Sequence, residues 1–478
     1  MPVASRLDPG FPHEQASGPG LPSALRGGTL AAMPTIPDAV AALDAGRTTA
    51  RALVEACLAR ILDPAGEGAR AFVAVYADQA RAAADAMDAL RRAGRAPSPL
   101  AGVPVSVKAL FDVAGEVTHA GSRALADAPP AREHAAAVAR LLGAGMVPVG
   151  RTNMTEFAFS GLGVNPHYGT PLSPWNRGSA RIPGGSSSGA AVSVADGMAL
   201  MGLGTDTGGS CRIPAAFCGI VGYKPTARRV PLAGAVPLSP TLDSIGPLAA
   251  DVASCALADA VLAGEAPRLP EPFPLAGLRL AVPEGRLLEN TDDDVTRDFE
   301  RALDRLGRAG ARIAHVAFPQ LAEIAAANRL GGFAAAEAHA WHRDLLARRA
   351  AEYDPQVRRR IAVGEGMRAA DLLDLLAARP RIRAAMDRAT LPYDALVLPT
   401  VPIAPPRLAH LDDEAEYAEV NALVLRNTAP ANFLDRCAIS LPMHRPGEAP
   451  TGLMMVGETG GDAKLFAIAA AVEAALAA

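Results

Sequence analysis

Short apolar runs of strand length alternate along this chain with longer stretches in which apolar residues recur at helical spacing. Residues 102–107, 145–150, 198–204, 278–282, 311–316, 395–399, 438–442 and 453–456 read as strands, most of them apolar on both faces. Residues 38–45, 49–62, 77–94, 133–144, 190–197, 250–263, 293–309, most of 318–390, 412–427 and 462–477 read as helices. Asp38 and Thr48 or Thr49 are the candidate N-caps of the first two. Proline-rich residues 163–183 and residues 232–248 read as loops. Strands and helices alternating in this way predict an α/β layered fold with a largely parallel sheet. No internal repeat or linker interrupts the pattern after Met33, so one large domain, 33–478, is expected.

Composition narrows the function classes. The chain has 478 residues, half of them hydrophobic, enough to bury a large core. Net charge is −4 with acids and bases intermixed, so there is no basic block to track nucleic acid directly. No apolar run is long enough to span a membrane. The five cysteines are scattered and make no Cys-x-x-Cys pair, which argues for a reducing compartment, the cytoplasm, and against a disulfide framework or structural zinc. Residues 1–32 are rich in Gly, Pro, Ser and Ala, lack a secretory signal pattern, and read as a disordered N-terminal extension.

Lysine usage points to chemistry. Of 46 basic residues only Lys108, Lys224 and Lys464 are lysine; the rest are arginine. A buried lysine can lose its proton and an arginine cannot, so a lysine that persists in an arginine-rich chain is a candidate base. Lys108 follows a predicted strand, at the end where ligands sit in open α/β sheets. Lys464 lies in a polar turn and reads as solvated, and Lys224 reads as structural.

The central stretch 184–226 carries two glycine-serine loops, 184–189 and 204–210, around a predicted helix–strand unit. A helix followed by a strand crosses the core and returns, so both loops can lie at one sheet edge. Glycine lets backbone N–H groups converge, and serine is a nucleophile such a nest could serve. Flexible turns are the plain alternative, and neither loop has the spacing of a phosphate-binding lysine loop. Met154, Phe157, Phe159, Tyr168 and Trp175 could wall a pocket or be ordinary core. Glu337, His339 and His342 share a predicted helix, but no further ligand completes a metal set there, and a solvated or packed face is the simpler reading.

Gly184-Gly-Ser-Ser-Ser-Gly, then Gly204-Thr-Asp-Thr-Gly-Gly-Ser-Cys-Arg-Ile-Pro-Ala, then Cys218-Gly-Ile-Val-Gly-Tyr-Lys-Pro-Thr226 closely resembles the amidase signature family. The resemblance extends to 102–108, 150–157, 398–400 and 452–457, and so covers most of 34–478. It implies one mixed sheet covered by helices on both faces, and hydrolysis of a carboxamide. It also implies a Ser–Ser–Lys triad: Ser210 the acylated nucleophile, Ser186 a bridging serine after a cis peptide bond, and Lys108 the terminal base. Backbone N–H groups of Thr207, Gly208, Gly209 and Ser210 match the oxyanion hole. No cofactor or metal is implied.

The residue chemistry agrees. None of the nine histidines lies in these motifs, so no histidine triad is evident. A lysine can activate serine only when neutral, and burial can lower its pKa from about 10.4 by up to roughly 3–5 units. Asp206 reads as a brace of the nucleophile loop; Arg212 could brace the loop or meet a substrate carboxylate, and the brace is the preferred reading. Ser188 and Cys211 depart from the commonest motif, where glycine and isoleucine are usual. A small-molecule amide is the expected substrate, and a homo-oligomer stays open. Residues 153–157 resemble the glutamine-hydrolysing component of tRNA-dependent amidotransferases, which needs a tRNA-binding partner. Such a component and a non-catalytic ligand-binding relative are the alternatives to a stand-alone amidase.

Overall fold

The computed structural model describes residues 34–477. The expected N-terminal extension, residues 1–32, lies outside them. Eleven strands form one sheet: β1 (Phe72–Val75), β2 (Pro104–Lys108), β3 (Val147–Thr152), β4 (Met201–Asp206), β5 (Val221–Lys224), β6 (Ser244–Ala249), β7 (Arg279–Pro283), β8 (Arg312–Val316), β9 (Ala395–Pro399), β10 (Ala438–Pro442) and β11 (Gly452–Val456). Their order is β1-β3-β2-β4-β6-β5-β10-β11-β9-β7-β8.

The sheet is mixed, and more antiparallel than the strand–helix alternation predicts. β2 runs parallel to β3 and β4, and β7 runs parallel to β8 and β9. The other six pairings are antiparallel. Two parallel trios are thus joined through β6-β5-β10-β11. Three strands were not expected, β1, β5 and β6, and they enter four of the six antiparallel pairings; the other two join the expected strands β9, β10 and β11. Ser244-Ile-Gly-Pro-Leu-Ala249 contains glycine and proline, residues that favour turns, yet all six positions are buried in the sheet.

Apolar runs are continuous because the sheet is covered on both faces. Val397, Leu453 and Met455 pack into one core with Val252, Phe299 and Ile468. Their neighbours Leu396, Leu398 and Met454 turn the other way, against Phe333, Ile382 and Phe433. The edge strand β8 keeps no fully buried residue. Among helix starts, Thr49 caps Ala50–Ile61 as expected. The first helix begins at Ile36 with Thr35 as its cap; Asp38, the expected cap, instead receives the Thr35 hydroxyl proton at 2.8 Å.

Candidate active site

Because β2 and β4 are parallel neighbours, their C-terminal ends emerge side by side. Lys108 closes β2, and the 207–211 turn follows β4. The short helix Ser188–Ala195 packs on β4 and brings the serine loop to the same edge. There Ser187 N–H donates to Ser210 O at 3.3 Å. The peptide bond between Gly185 and Ser186 is cis.

Lys108 is fully buried, with Nζ 2.8 Å from Ser186 Oγ, 3.0 Å from Ser187 Oγ and 2.8 Å from Thr205 Oγ1. Burial lowers its pKa to about 7, although Asp206 and Asp243 pull the other way. A neutral amine offers two protons and one lone pair, so one of the three hydroxyls must donate to it. Ser187 Oγ faces the Thr205 carbonyl at 3.3 Å and can spend its proton there. That leaves Ser186 or Thr205 to donate to nitrogen.

Ser210 opens onto a cavity of about 200 Å³, lined also by Thr207, Gly208, Phe159, Leu238, Leu425, Phe433 and Arg360. The N–H groups of Thr207, Gly208 and Ser210 are not committed to any described residue. Gly209 departs from the expected oxyanion set. Its N–H donates to Asp206 Oδ1 at 2.9 Å, so its one proton is already used.

The amidase family model matches residues 52–466. The 2-amino-5-chloromuconic acid deaminase of Comamonas testosteroni is 40% identical, with 83% of this chain and 86% of that protein aligned. A glutamyl-tRNA(Gln) amidotransferase subunit from Chloroflexus aggregans is 35% identical over 91% of this chain and 94% of its own. A crystal structure of an amidase superposes with a TM-score of 0.83 at 33% identity, covering 92% of this chain and 99% of that one. The chain belongs to the amidase family.

In this amidase the 207–211 turn is locked from below. Asp206 is fully buried, and its carboxylate accepts from the N–H groups of Gly209 and Cys211, from Arg212 Nε and Nη2, and from Asn432 Nδ2. Burial pushes the Asp206 carboxyl up, but the Arg212 guanidinium more than offsets this and holds it at about 2. Arg212 reaches on to the Thr428 carbonyl at 2.9 Å and Asn432 Oδ1 at 2.8 Å. Both residues brace the turn, as their positions beside Ser210 suggested. Lys224 is structural too: it donates to the carbonyls of Pro225 and Arg436.

Gly209 needs its missing side chain. Its φ is +139°, and a Cβ there would lie 2.3 Å from Thr428 Oγ1 and 2.6 Å from Ile213 Cδ1. Gly209→Ala is expected to cost about 1–3 kcal/mol in urea unfolding and to lower kcat together with it, since the turn must shift.

Other candidates divide. Phe159 lines the cavity, whereas Phe157 is buried against Trp341, His342 and Tyr353. Tyr168 stacks on His119, and Trp175 lies under Arg181. Glu337 turns to Ser239 and Thr241, while His342 Nδ1 lies 2.9 Å from Tyr353 Oη, so the helical trio does not converge. No group among the described residues is arranged to hold a metal ion. Cys211 points its Sγ at the Gly246 carbonyl, away from the cavity, and Ser188 Oγ is buried without a partner. No described helix is long and apolar enough to cross a membrane. Sequence reasoning missed Ser187 and Thr205 as neighbours of Lys108, although both stand in the two loops it singled out. It also missed Asn432, Thr428 and Arg360, which no motif marks.

Proposed function

We propose that this amidase cleaves a carboxamide C–N bond through an acyl-enzyme on Ser210. Ser210 Oγ attacks the carbonyl carbon, and its proton passes to Ser186 Oγ as the Ser186 proton moves to neutral Lys108 Nζ. The oxyanion is held by the N–H groups of Thr207, Gly208 and Ser210. The proton returns along the same path to the leaving nitrogen, which departs as ammonia or an amine. Water then enters, gives up a proton by that route, and releases the acid from Ser210. The observation that carries this reading is the buried amine within 2.8 Å of Ser186 Oγ, at the sheet edge where Ser210 lies.

An active-site-directed fluorophosphonate tests it. Labelling is expected on Ser210 and to vanish in Ser210→Ala; unchanged labelling of that variant would remove the proposal. The labelling rate should rise with pH through about 7 and then level, because only the neutral amine accepts a proton.

The likeness to a glutamyl-tRNA(Gln) amidotransferase component supports a second reading, in which the chain supplies ammonia within a tRNA-dependent complex. Size-exclusion chromatography and pull-down from the native host discriminate: a stand-alone amidase elutes without a tRNA-binding partner. The domain we assign to this function is 33–478. Five free, buried cysteines support a reducing compartment for it, the cytoplasm.

A further inference from the structure

We propose that the amidase selects small amides whose acyl part ends in a second, ionised carboxylate, that Arg360 receives this carboxylate, and that amides carrying an ammonium group, such as glutamine, are rejected. The proposal rests on Ser210 being the nucleophile. Arg360 stands on the helix Pro355–Ala362 and lines the same cavity as Ser210. Its guanidinium lies over the Phe159 ring, with Cζ 4.7 Å from the centroid. Its Nε is sealed from solvent with no acceptor, and the guanidinium makes no hydrogen bond or ion pair with any described residue. Its neighbours on the helix are satisfied: Arg359 pairs with Glu414 at 2.7 Å, and Arg358 donates to the Ala350 carbonyl.

A partly buried cation without a partner is costly unless something else supplies the anion. The planar fork of a guanidinium matches a carboxylate with two parallel hydrogen bonds. Besides Ser210 and Arg360 the polar lining residues are uncharged: Ser160, whose Oγ is tied to Tyr417 and Asn421, Thr207, whose Oγ1 donates to Asp243, and Asn328, whose Nδ2 donates to the Ile324 carbonyl. Leu238, Leu242, Leu425 and Phe433 make the remainder apolar.

No aspartate or glutamate lines the cavity. The carboxylates behind it are occupied: Asp243 accepts from Thr207 Oγ1 and from the N–H groups of Leu238 and Ser239, and Glu337 accepts from Ser239 and Thr241. A substrate ammonium would therefore be desolvated against leucine with no counter-charge. A volume of about 200 Å³ confines the choice to short chains. The substrate class is the monoamide of a dicarboxylic acid.

The test compares kcat/KM for pentanamide, glutaramate and glutamine, which share a five-carbon chain and differ in the carboxylate and ammonium groups they carry, with malonamate to adipamate added to scan length. The best monoamide is expected to exceed its neutral counterpart and glutamine by about 100-fold each. Arg360→Gln should collapse the ratio of monoamide to neutral amide, chiefly through KM, and Arg360→Lys should restore part of it. Thermal unfolding of each variant checks that the ratio is read on folded protein. A neutral amide turned over as well as its carboxylate counterpart, a preference for glutamine, or an unchanged ratio in Arg360→Gln overturns the assignment. If no amide in the series reacts while fluorophosphonate labels Ser210, the assignment to Arg360 falls and the nucleophile stands. If Ser210 is not labelled, both fall.

Discussion

Lys108→Arg is expected to lower kcat by at least about 10⁴-fold on any amide the wild type hydrolyses. The substitution keeps a long basic side chain and much of the volume, but a guanidinium cannot give up its proton at any working pH. Lys108→Ala and Ser210→Ala should fall to a similar floor. The double variant should sit no lower than either, because base and nucleophile act as one unit. Single-turnover kinetics on the purified proteins reads this directly. A Lys108→Arg enzyme within tenfold of wild type would show that the amine is not the base. The acid limb of the wild-type profile near pH 7 is assigned to Lys108 and not to Asp206, which is held at about 2; Asp243, raised by burial to about 6, is told apart by Asp243→Asn, which should leave the limb in place. Asp206 therefore stays ionised across the range in which the enzyme is assayed, and its contribution to stability is lost only as pH falls toward 2.

Asp206→Asn is expected to destabilise the fold by about 3–5 kcal/mol, the cost of leaving a buried charge uncompensated. Arg212 is wholly buried and Asp206 is its only ion-pair partner among the described residues. Urea unfolding measures the loss. Replacing both, as Asp206→Leu with Arg212→Met, should recover much of the stability, because neither member of the pair is left alone. That double variant should still be a poor catalyst. The N–H groups of Gly209 and Cys211 lose the acceptor that curls the turn, so the Thr207, Gly208 and Ser210 donors are no longer aimed. A fully active double variant would show that the turn holds its shape without Asp206.

What could be read in the chain depended on how local the signal was. Lys108, Ser186 and Ser210 stood out because lysine is scarce and the glycine-serine loops are long and specific. β2, β9 and β10 were visible as apolar runs because both faces of the sheet are covered. β6 was hidden by its glycine and proline, since burial in a central strand overrides their turn preference. The helix Arg212–Cys218 was hidden by Pro214, which is tolerated in a first turn. Arg360 could not be told from the other arginines of the chain. What distinguishes it is the partner it lacks, and a missing contact leaves no trace in one dimension. Asn432 and Thr428 bind the 206–212 segment across more than two hundred residues of sequence.

That last separation has a consequence for how the enzyme comes to life. A ribosome releases Lys108, Ser186 and Ser210 well before it has made Thr428 and Asn432, which clasp Arg212, Gly208 and Asp206. Every reactive group is thus present on the nascent polypeptide while the clasp that shapes the turn is still untranslated. A message truncated ahead of codon 428 should yield a chain bearing all three residues of the proposed triad and no hydrolytic power.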